Sequence, residues 1–183
     1  MAGTAIVSVR PTLDTTRLHL RAFMPGDAEA YAAVRYHPDV DAWLMPAPTE
    51  DPVAQQRAQI EEYDQRWAAH GYAPWAVVER DSGRLVGHCG LRWLDSLEIA
   101  DAIWTMHPDT QGKGYAREAA RAALDWGFGV AKLPRVGALI RPDNTRSQAV
   151  ARAMGMTIQR AAIERRPGQF RDLWVVERGP TAG

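Results

Sequence analysis

The chain has 183 residues, of which 46% are hydrophobic and 24% charged, and this length favours a single domain over residues 1–183 with its core at about 15–178. Lysine plus arginine and aspartate plus glutamate number 22 each, so the net charge of zero argues against a nucleic-acid or membrane partner. The single cysteine, Cys89, excludes an internal disulfide framework, and no spacing of cysteine and histidine predicts a metal site.

The N-terminal segment has no sustained apolar stretch, and nowhere do 18 apolar residues follow one another, so we expect a cytoplasmic protein. Leu18, Leu20 and Ala22 alternate with polar residues within "TTRLHLRAF" (15–23), which predicts a strand with one face on the core. The segment "MPGDAEAYAAVRYH" then predicts a turn, Asp27 as a residue suited to N-capping, and a helix that carries Ala30, Tyr31 and Val34 on one side.

The next segment, 37–52, contains four prolines around Trp43 and predicts a long, structured loop. Apolar residues then recur at three- and four-residue spacing through 53–71, which predicts a second helix that ends at Gly71.

Beyond this glycine the pattern changes to strands. "APWAVVER" and "RLVGHCGLRWL" flank a turn and predict an antiparallel hairpin, and "LEIADAIWTM" predicts a third strand in succession. A helix to about Gly129, the strand "RVGALIRP", the helix "NTRSQAVARAMG" and the strands "TIQRAAIER" and "FRDLWVVER" follow. The order β-α-α-β-β-β-α-β-α-β-β indicates a mixed α/β domain.

A loop of small residues separates the third strand of this succession from the following helix. It consists of Gln111, Gly112, Lys113, Gly114, Tyr115 and Ala116. Glycines at the start of a helix leave backbone N–H groups unshielded, and the helix N-terminus favours anions, so a diphosphate fits there. The Walker pattern fails because it lacks the upstream glycine, and the dinucleotide fingerprint fails at Arg117. A tight turn without a ligand is the alternative.

The loop resembles the pyrophosphate loop [QR]-x-x-G-x-[GA] of the GNAT superfamily of N-acetyltransferases, because Gln111, Gly114 and Ala116 match its fixed positions. "TTRLHLRAF", "GYAPWAVVERDSGRLVGHCGL", "HPDTQGKGYAREAA" and "RPDNTRSQAVARAMGM" resemble, in order, four blocks of its Rim-type branch, the ribosomal-protein N-terminal acetyltransferases. The resemblance implies a GNAT fold: a mixed, mostly antiparallel central sheet of about seven strands with a splayed parallel pair, flanked by about four helices.

The resemblance further implies acetyl-CoA as co-substrate, no metal, and direct attack of an amine on the thioester. Backbone donors from Gly112 to Ala116 would hold the pyrophosphate, and backbone groups from Trp104 to Met106 would pair with the pantetheine arm and polarise the thioester carbonyl. Lys113 would add charge at the rim or remain a solvated lysine.

Asn144 and Ser147 lie three residues apart on one helix face, where both can reach a ligand that crosses the first turn. The resemblance implies that Asn144 contacts the pantetheine arm and that Ser147 donates to the departing thiolate. The family's frequent tyrosine, seven residues after the asparagine, is Ala151 in this chain. The alternative is an N-cap asparagine with a surface serine.

A protonated amine with a pKa near that of lysine, about 10, must lose a proton before attack, and a carboxylate, a histidine or a water chain can accept that proton. Glu98 and Asp101 are expected on the strand that lines the cleft, on opposite faces of it, so at most one points at the acceptor. Alignment from the glycine loop gives Asp101 the place of the family's glutamate. The alternative for either carboxylate is a pair with an arginine.

Trp43 and Trp104 are placed near the acceptor mouth as an apolar wall, and the acidic loop around Trp43 is either a candidate attractor for a cationic acceptor or a solvated loop. Cys89 is interpreted as a core thiol, and His88 and His107 as structural histidines. The acceptor expected from the resemblance is a protein N-terminal amine. The alternatives are a small amine (an amino acid, polyamine or aminoglycoside) and, in another class, a non-catalytic acyl-CoA sensor. The expected assembly is a monomer or homodimer.

Overall fold

The computed structural model describes residues 10–44 and 47–179, and within these ranges eight strands and five α-helices form one mixed α/β unit. The strands are β1 (Leu13–Asp14), β2 (Leu18–Arg21), β3 (Pro74–Glu79), β4 (Leu85–Leu94), β5 (Ile99–Met106), β6 (Arg135–Ile140), β7 (Thr157–Arg166) and β8 (Gln169–Glu177). The helices are α1 (Ala28–Arg35), α2 (Pro38–Asp41), α3 (Pro52–His70), α4 (Tyr115–Gly129) and α5 (Thr145–Ala153).

All eight strands belong to one open sheet in the order β1-β2-β3-β4-β5-β6-β8-β7. Every neighbouring pair is antiparallel except β5 and β6, which are parallel and pair only at Ala100 with Val136 and at Asp101 with Gly137. Beyond Asp101 the backbone ladder between these two strands ends, while β5 continues to Met106. The splayed parallel pair that the resemblance implies is therefore confirmed, in a sheet of eight strands rather than about seven.

The long helix α3 begins and ends as its sequence predicts. The Asp51 side chain accepts a hydrogen bond from the Ala54 amide, Pro52 occupies the first turn, and Gly71 adopts the left-handed conformation, with φ 75°, just after the last turn. Its apolar stripe is buried, and Trp67 packs edge-on against Trp75 of β3 and Trp126 of α4. The three indole rings therefore pack together between α3, β3 and α4.

Helices cover both faces of the central strands. The side chain of Tyr31 in α1 bonds His88 of β4, so His88 faces α1. Gly127 of α4 packs against Leu91, so the opposite face of β4 meets α4. Because side chains alternate along a strand, Arg92 shares the α1 face with His88, whereas Cys89 shares the α4 face with Leu91.

Three local expectations are corrected. The segment 37–52 contains the short helix α2, which begins after His37, whose ring nitrogen accepts from the Asp39 amide. Asp27 precedes α1 without capping it, because its carboxylate bonds Arg21 and the Met24 amide. Glu98 lies in the turn before β5, with φ 49°, and not on the strand.

Across residues 10–44 and 47–179, no helix has the length and apolar character needed to cross a membrane.

Candidate active site

A cleft of about 910 Å³ opens where β5 and β6 separate, and residues from α1, α2, α3, α5 and the glycine loop complete its walls. It brings together most of the residues that the sequence singles out. These are Trp43, Trp104, Met106, Gln111, Gly112, Gly114, Tyr115, Ala116, Asn144 and Ser147. Three predicted residues do not line it: Glu98, Asp101 and Lys113.

The glycine loop opens α4 at the end of the cleft that follows β5. Gly112 and Gly114 have φ values of 79° and 82°, a left-handed conformation that favours glycine. Gly114 is the N-cap residue of α4, and no side chain within residues 10–44 and 47–179 caps this helix. The first-turn amides of α4 are thus left for a ligand, and the helix dipole favours a negative one.

Arg17 does not line the cleft and contacts the glycine loop from outside it. Its guanidinium donates to the Lys113 carbonyl oxygen at 2.8 Å and, through Nε, to the Glu118 carboxylate at 2.8 Å, and it lies over the Tyr115 ring at 4.8 Å. The Tyr115 hydroxyl donates to Glu79 at 2.6 Å. The side chain of Tyr115 is therefore an anchor, and its backbone is the part that faces the loop's concave side.

Asn144 is an N-cap, as one of the two sequence interpretations proposes. Its Oδ1 accepts from the Ser147 amide at 3.0 Å and so begins α5. Ser147 is half-buried in the cleft, and among the described residues its hydroxyl has no hydrogen-bond partner. Next to it, Arg146 donates to Gln111 Oε1 at 2.6 Å, which ties the first turn of α5 to the glycine loop.

Asp101 connects the two strands of the splayed pair. It is 1% exposed; its Oδ2 accepts from Arg92 at 3.0 Å and its Oδ1 from the Leu139 amide at 3.0 Å. Burial raises its pKa, and Arg92 opposes that shift. Both oxygens are engaged in hydrogen bonds and Asp101 does not line the cleft, as in the arginine-paired interpretation, and Glu98 lies in the preceding turn. The structure therefore brings neither predicted base carboxylate into the cleft.

The cleft floor under α1 is a hydrogen-bonded cluster that the sequence did not predict as part of the site. The Tyr31 hydroxyl lies 3.2 Å from that of Tyr63 and 3.1 Å from His88 Nδ1. Burial, with a smaller contribution from nearby arginines, lowers the pKa of His88 to about 3, so the ring is neutral at physiological pH. The sequence does not reveal this cluster, because Tyr31 and Tyr63 occupy helix positions whose spacing predicts core packing.

Arginines are a second feature of the cleft. Seven line the cleft: Arg35, Arg92, Arg117, Arg141, Arg146, Arg166 and Arg171. Asp39 is the single acidic residue among the described residues that line it. These arginines come from separate elements, so no local motif contains them, and the acidic character expected of the acceptor loop is not that of the cleft.

The two tryptophans predicted at the mouth have different surroundings. Trp43 is 37% exposed and stacks against Arg141, whose guanidinium lies 5.0 Å from the ring centre and also donates to the Ala42 carbonyl. Trp104 pairs with Cys89 across β4 and β5, on the α4 face. Across the described ranges, no group of three or more His, Cys, Asp or Glu side chains is placed to hold a metal ion.

Comparisons with known proteins agree with this architecture. Residues 17–157 match the family model described as an acetyltransferase (GNAT) domain. The uncharacterized N-acetyltransferase p20 of Bacillus licheniformis is 28% identical over 137 residues, which cover 74% of this chain and 76% of that protein. The crystal structure of an acetyltransferase from Agrobacterium tumefaciens is 25% identical, with a TM-score of 0.79 over 92% of this chain and 95% of that one.

A further solved structure, the ribosomal-protein-S5-alanine acetyltransferase of Vibrio fischeri, is 16% identical, with a TM-score of 0.75 over 92% of this chain and 96% of that one, and it shares the fold. The family match spans most of the chain and includes β5, the glycine loop and α5. The chain belongs to the GNAT acetyltransferase family and is an acyltransferase.

Proposed function

We propose that this protein transfers the acetyl group of acetyl-CoA to a primary amine, which attacks the thioester directly in a ternary complex. The observation that carries the proposal is the junction of two features. The parallel strands β5 and β6 separate beyond Asp101, and the uncapped N-terminus of α4 lies at the edge where β5 ends. The cleft joins both.

The residues at this junction fit a diphosphate and its extended arm. Backbone amides from Gly112 to Ala116 are proposed to hold the pyrophosphate, and Arg146 lies close enough to add charge there. The part of β5 that pairs with β4 but not with β6, from Trp104 to Met106, is proposed to offer its remaining backbone groups to the pantetheine arm and to the thioester carbonyl. Lys113 lies outside the cleft lining, with its ammonium 5.8 Å from the Tyr115 ring centre, so its charge acts from the rim.

The acceptor's proton is proposed to leave through water rather than to a carboxylate. Asp101 has both oxygens engaged, Glu98 lies outside the cleft, and His88 is a weak base because burial lowers its pKa to about 3. Positioning of the amine beside the thioester then supplies the larger part of the rate acceleration.

Ser147→Ala should lower kcat by about tenfold or more while the affinity for acetyl-CoA changes little, because the hydroxyl donates to the sulfur only as negative charge develops there. The measurement is steady-state kinetics together with calorimetric titration of acetyl-CoA. Ser147→Thr retains a hydroxyl and is the matched control. Wild-type turnover in the alanine variant would return Ser147 to the role of a surface serine.

Arg17→Gln should weaken acetyl-CoA binding by about tenfold with a smaller effect on kcat, because the loop loses the donor that holds the Lys113 carbonyl and the stacking partner of Tyr115. Calorimetric titration measures the affinity. Arg80→Gln is a comparison on the same side of the fold, since Arg80 bonds the Thr15 carbonyl and does not contact the loop. Equal losses in both variants would contradict a specific role for Arg17.

The proposed function is tested first by calorimetric titration with acetyl-CoA, with free CoA and ATP as comparisons. Micromolar binding of acetyl-CoA and CoA, without binding of ATP, is the expected result. No binding would mean that the glycines only turn the chain, and the roles proposed for the loop and for Ser147 would be withdrawn.

A protein N-terminal amine is the second candidate acceptor. It is supported by the shared fold with the Vibrio fischeri ribosomal-protein-S5-alanine acetyltransferase. Incubation with acetyl-CoA and short peptides, read by mass spectrometry, tests it. Acetyl-CoA binding without acetylation of any amine would favour instead the non-catalytic sensor.

A further inference from the structure

The charge of the cleft differs from that of the chain. The chain as a whole carries equal numbers of acidic and basic residues, yet the described residues that line the cleft include seven arginines and one aspartate, Asp39. Arg117 and Arg146 lie beside the glycine loop and suit the phosphates of acetyl-CoA. The remaining five need another explanation.

Two of the five, Arg35 and Arg92, lie on the face of the sheet that α1 covers. This is the face opposite to α4, whose N-terminus carries the glycine loop. Arg92 pairs with Asp101, five residues before the end of β5, and at about 3.3 Å per residue that is roughly 16 Å along the strand from the loop. Phosphates held at the loop therefore do not account for these arginines.

Asp101 fixes the orientation of Arg92. Nε and Nη2 of Arg92 both lie 3.0 Å from Asp101 Oδ2, and the aspartate is fully buried, whereas the arginine side chain is 40% exposed. Nη1 of Arg92 has no hydrogen-bond partner among the described residues. The buried carboxylate thus holds one edge of the guanidinium and leaves the other directed to the open cleft.

Arg35 approaches the same place from α1. Its own acidic partner is Asp41, which does not line the cleft. Both Arg35 and Arg92 lie near His88 and oppose its protonation. The floor between them consists of neutral groups, Tyr31, Tyr63 and His88, so it offers no negative charge to the two guanidinium groups.

Two further arginines lie at the mouth of the cleft. Arg141, held by Asp143 and stacked on Trp43, lies beside Arg171, whose pKa is lowered first by burial and then by the charge of Arg141. Asp143 also acts on Arg171, so two guanidinium groups and one carboxylate leave a net positive charge that attracts anions toward this opening.

We propose that the acceptor of this enzyme is a small amine that also carries a carboxylate, which Arg92 receives through Nη1 in the field of Arg35. The inference rests on the proposed acetyl transfer. A carboxylate forms charge-assisted hydrogen bonds with guanidinium donors, whereas a polyamine would place further positive charge among arginines. The carboxylate would fix the amine on the α1 face, opposite the side from which acetyl-CoA enters.

The test compares matched acceptors on the wild-type enzyme. Amino acids are assayed beside the same compounds as carboxamides, as decarboxylated amines and as aminophosphonates, with release of the CoA thiol as the readout. We expect kcat/KM for the best amino acid to exceed that of its carboxamide by tenfold or more. Equal values, a preference for polyamines or peptides, or a preference for the phosphonate would overturn the carboxylate assignment.

A double variant, Arg92→Gln with Asp101→Asn, replaces the ion pair by two amides of similar size, so no buried charge is left unpaired. The preference for the carboxylate over the carboxamide should fall to about onefold, with acetyl-CoA affinity unchanged. Arg92→Lys, which keeps the charge, should retain part of the preference. Arg160→Gln, an exposed arginine of β7 outside the cleft, is the control and should match the wild type.

The two proposals fail in different ways. Absence of acetyl-CoA binding would overturn the proposed function and this inference with it. Acetyl-CoA binding with acetylation of carboxamides as fast as of amino acids, or of no amino acid at all, would overturn the inference alone.

Discussion

Replacement of Gly114 by glutamate is expected to reduce the affinity for acetyl-CoA by at least about a hundredfold, which is close to 3 kcal/mol. Gly114 is the N-cap residue of α4, with φ 82°, and its backbone lies where the pyrophosphate is proposed to bind. A carboxylate at this residue repels the nearby phosphates, and the strain that a side chain imposes on the left-handed backbone displaces the amides proposed to hold them. The affinity is measured by calorimetric titration, and a thermal unfolding curve checks that the transition stays cooperative.

Gly114→Gln is the control that distinguishes the effect of the added negative charge from the effect of the added side chain. Both variants impose a side chain on a left-handed residue, at roughly 1–2 kcal/mol of backbone strain, but glutamine adds no charge. There is room for the first carbon, since a Cβ at this position would lie 3.5 Å from the Arg17 guanidinium. We expect glutamine to weaken binding less than glutamate. Wild-type affinity in the glutamate variant would refute the loop as a phosphate site.

Gly87→Ala is the substitution with the largest expected effect on stability, a loss of about 3 kcal/mol or more in the free energy of unfolding. A Cβ at residue 87 would lie 2.0 Å from the carbonyl oxygen of Thr105 and 3.0 Å from the Cα of Met106, so the backbones of β4 and β5 must move apart. For a domain of this size the loss corresponds to a fall in Tm of roughly 6–12 °C.

Chemical denaturation with the matched substitution Gly129→Ala completes this experiment. Gly129 is the last residue of α4, and a Cβ there meets nothing within 4 Å, so alanine should leave the free energy of unfolding unchanged or slightly raised. Any Gly87→Ala protein that folds should also bind acetyl-CoA more weakly, because Thr105 and Met106 precede the glycine loop. Equal stability of the two variants would show that β4 and β5 tolerate the wider spacing.

Elements with a local signal were predictable from the sequence. The alternation in β2, the turn between β3 and β4, the helical spacing in α3 and its stop at Gly71 depend on neighbours a few residues apart, so the chain displays them directly. The glycine loop was predictable for the same reason, because its motif lies within residues 111–116. Helix α2 was missed because four prolines favour a loop, although a proline at the first position of a helix is compatible with it.

The errors in the site have a common physical origin in sheet register. The sequence pattern predicts Glu98 on β5. In the structure Glu98 has a left-handed backbone conformation and lies in the turn before the first residue of this strand. The partners of Asp101 come from β4 and β6, and only the register of three strands brings them together. The arginines of the cleft likewise converge from separate elements. A motif search sees none of these relations.

The carboxylate of Asp101 has a consequence for the energetics of association. By accepting from the Leu139 amide it takes the place of a strand carbonyl just beyond the last paired residues of β5 and β6, so an amide on the diverging strand is satisfied without ligand. The separation of the two strands is therefore stabilised by a side chain of the protein itself. Acetyl-CoA would enter a preorganised slot, and no part of its binding free energy would be consumed in separating two hydrogen-bonded strands.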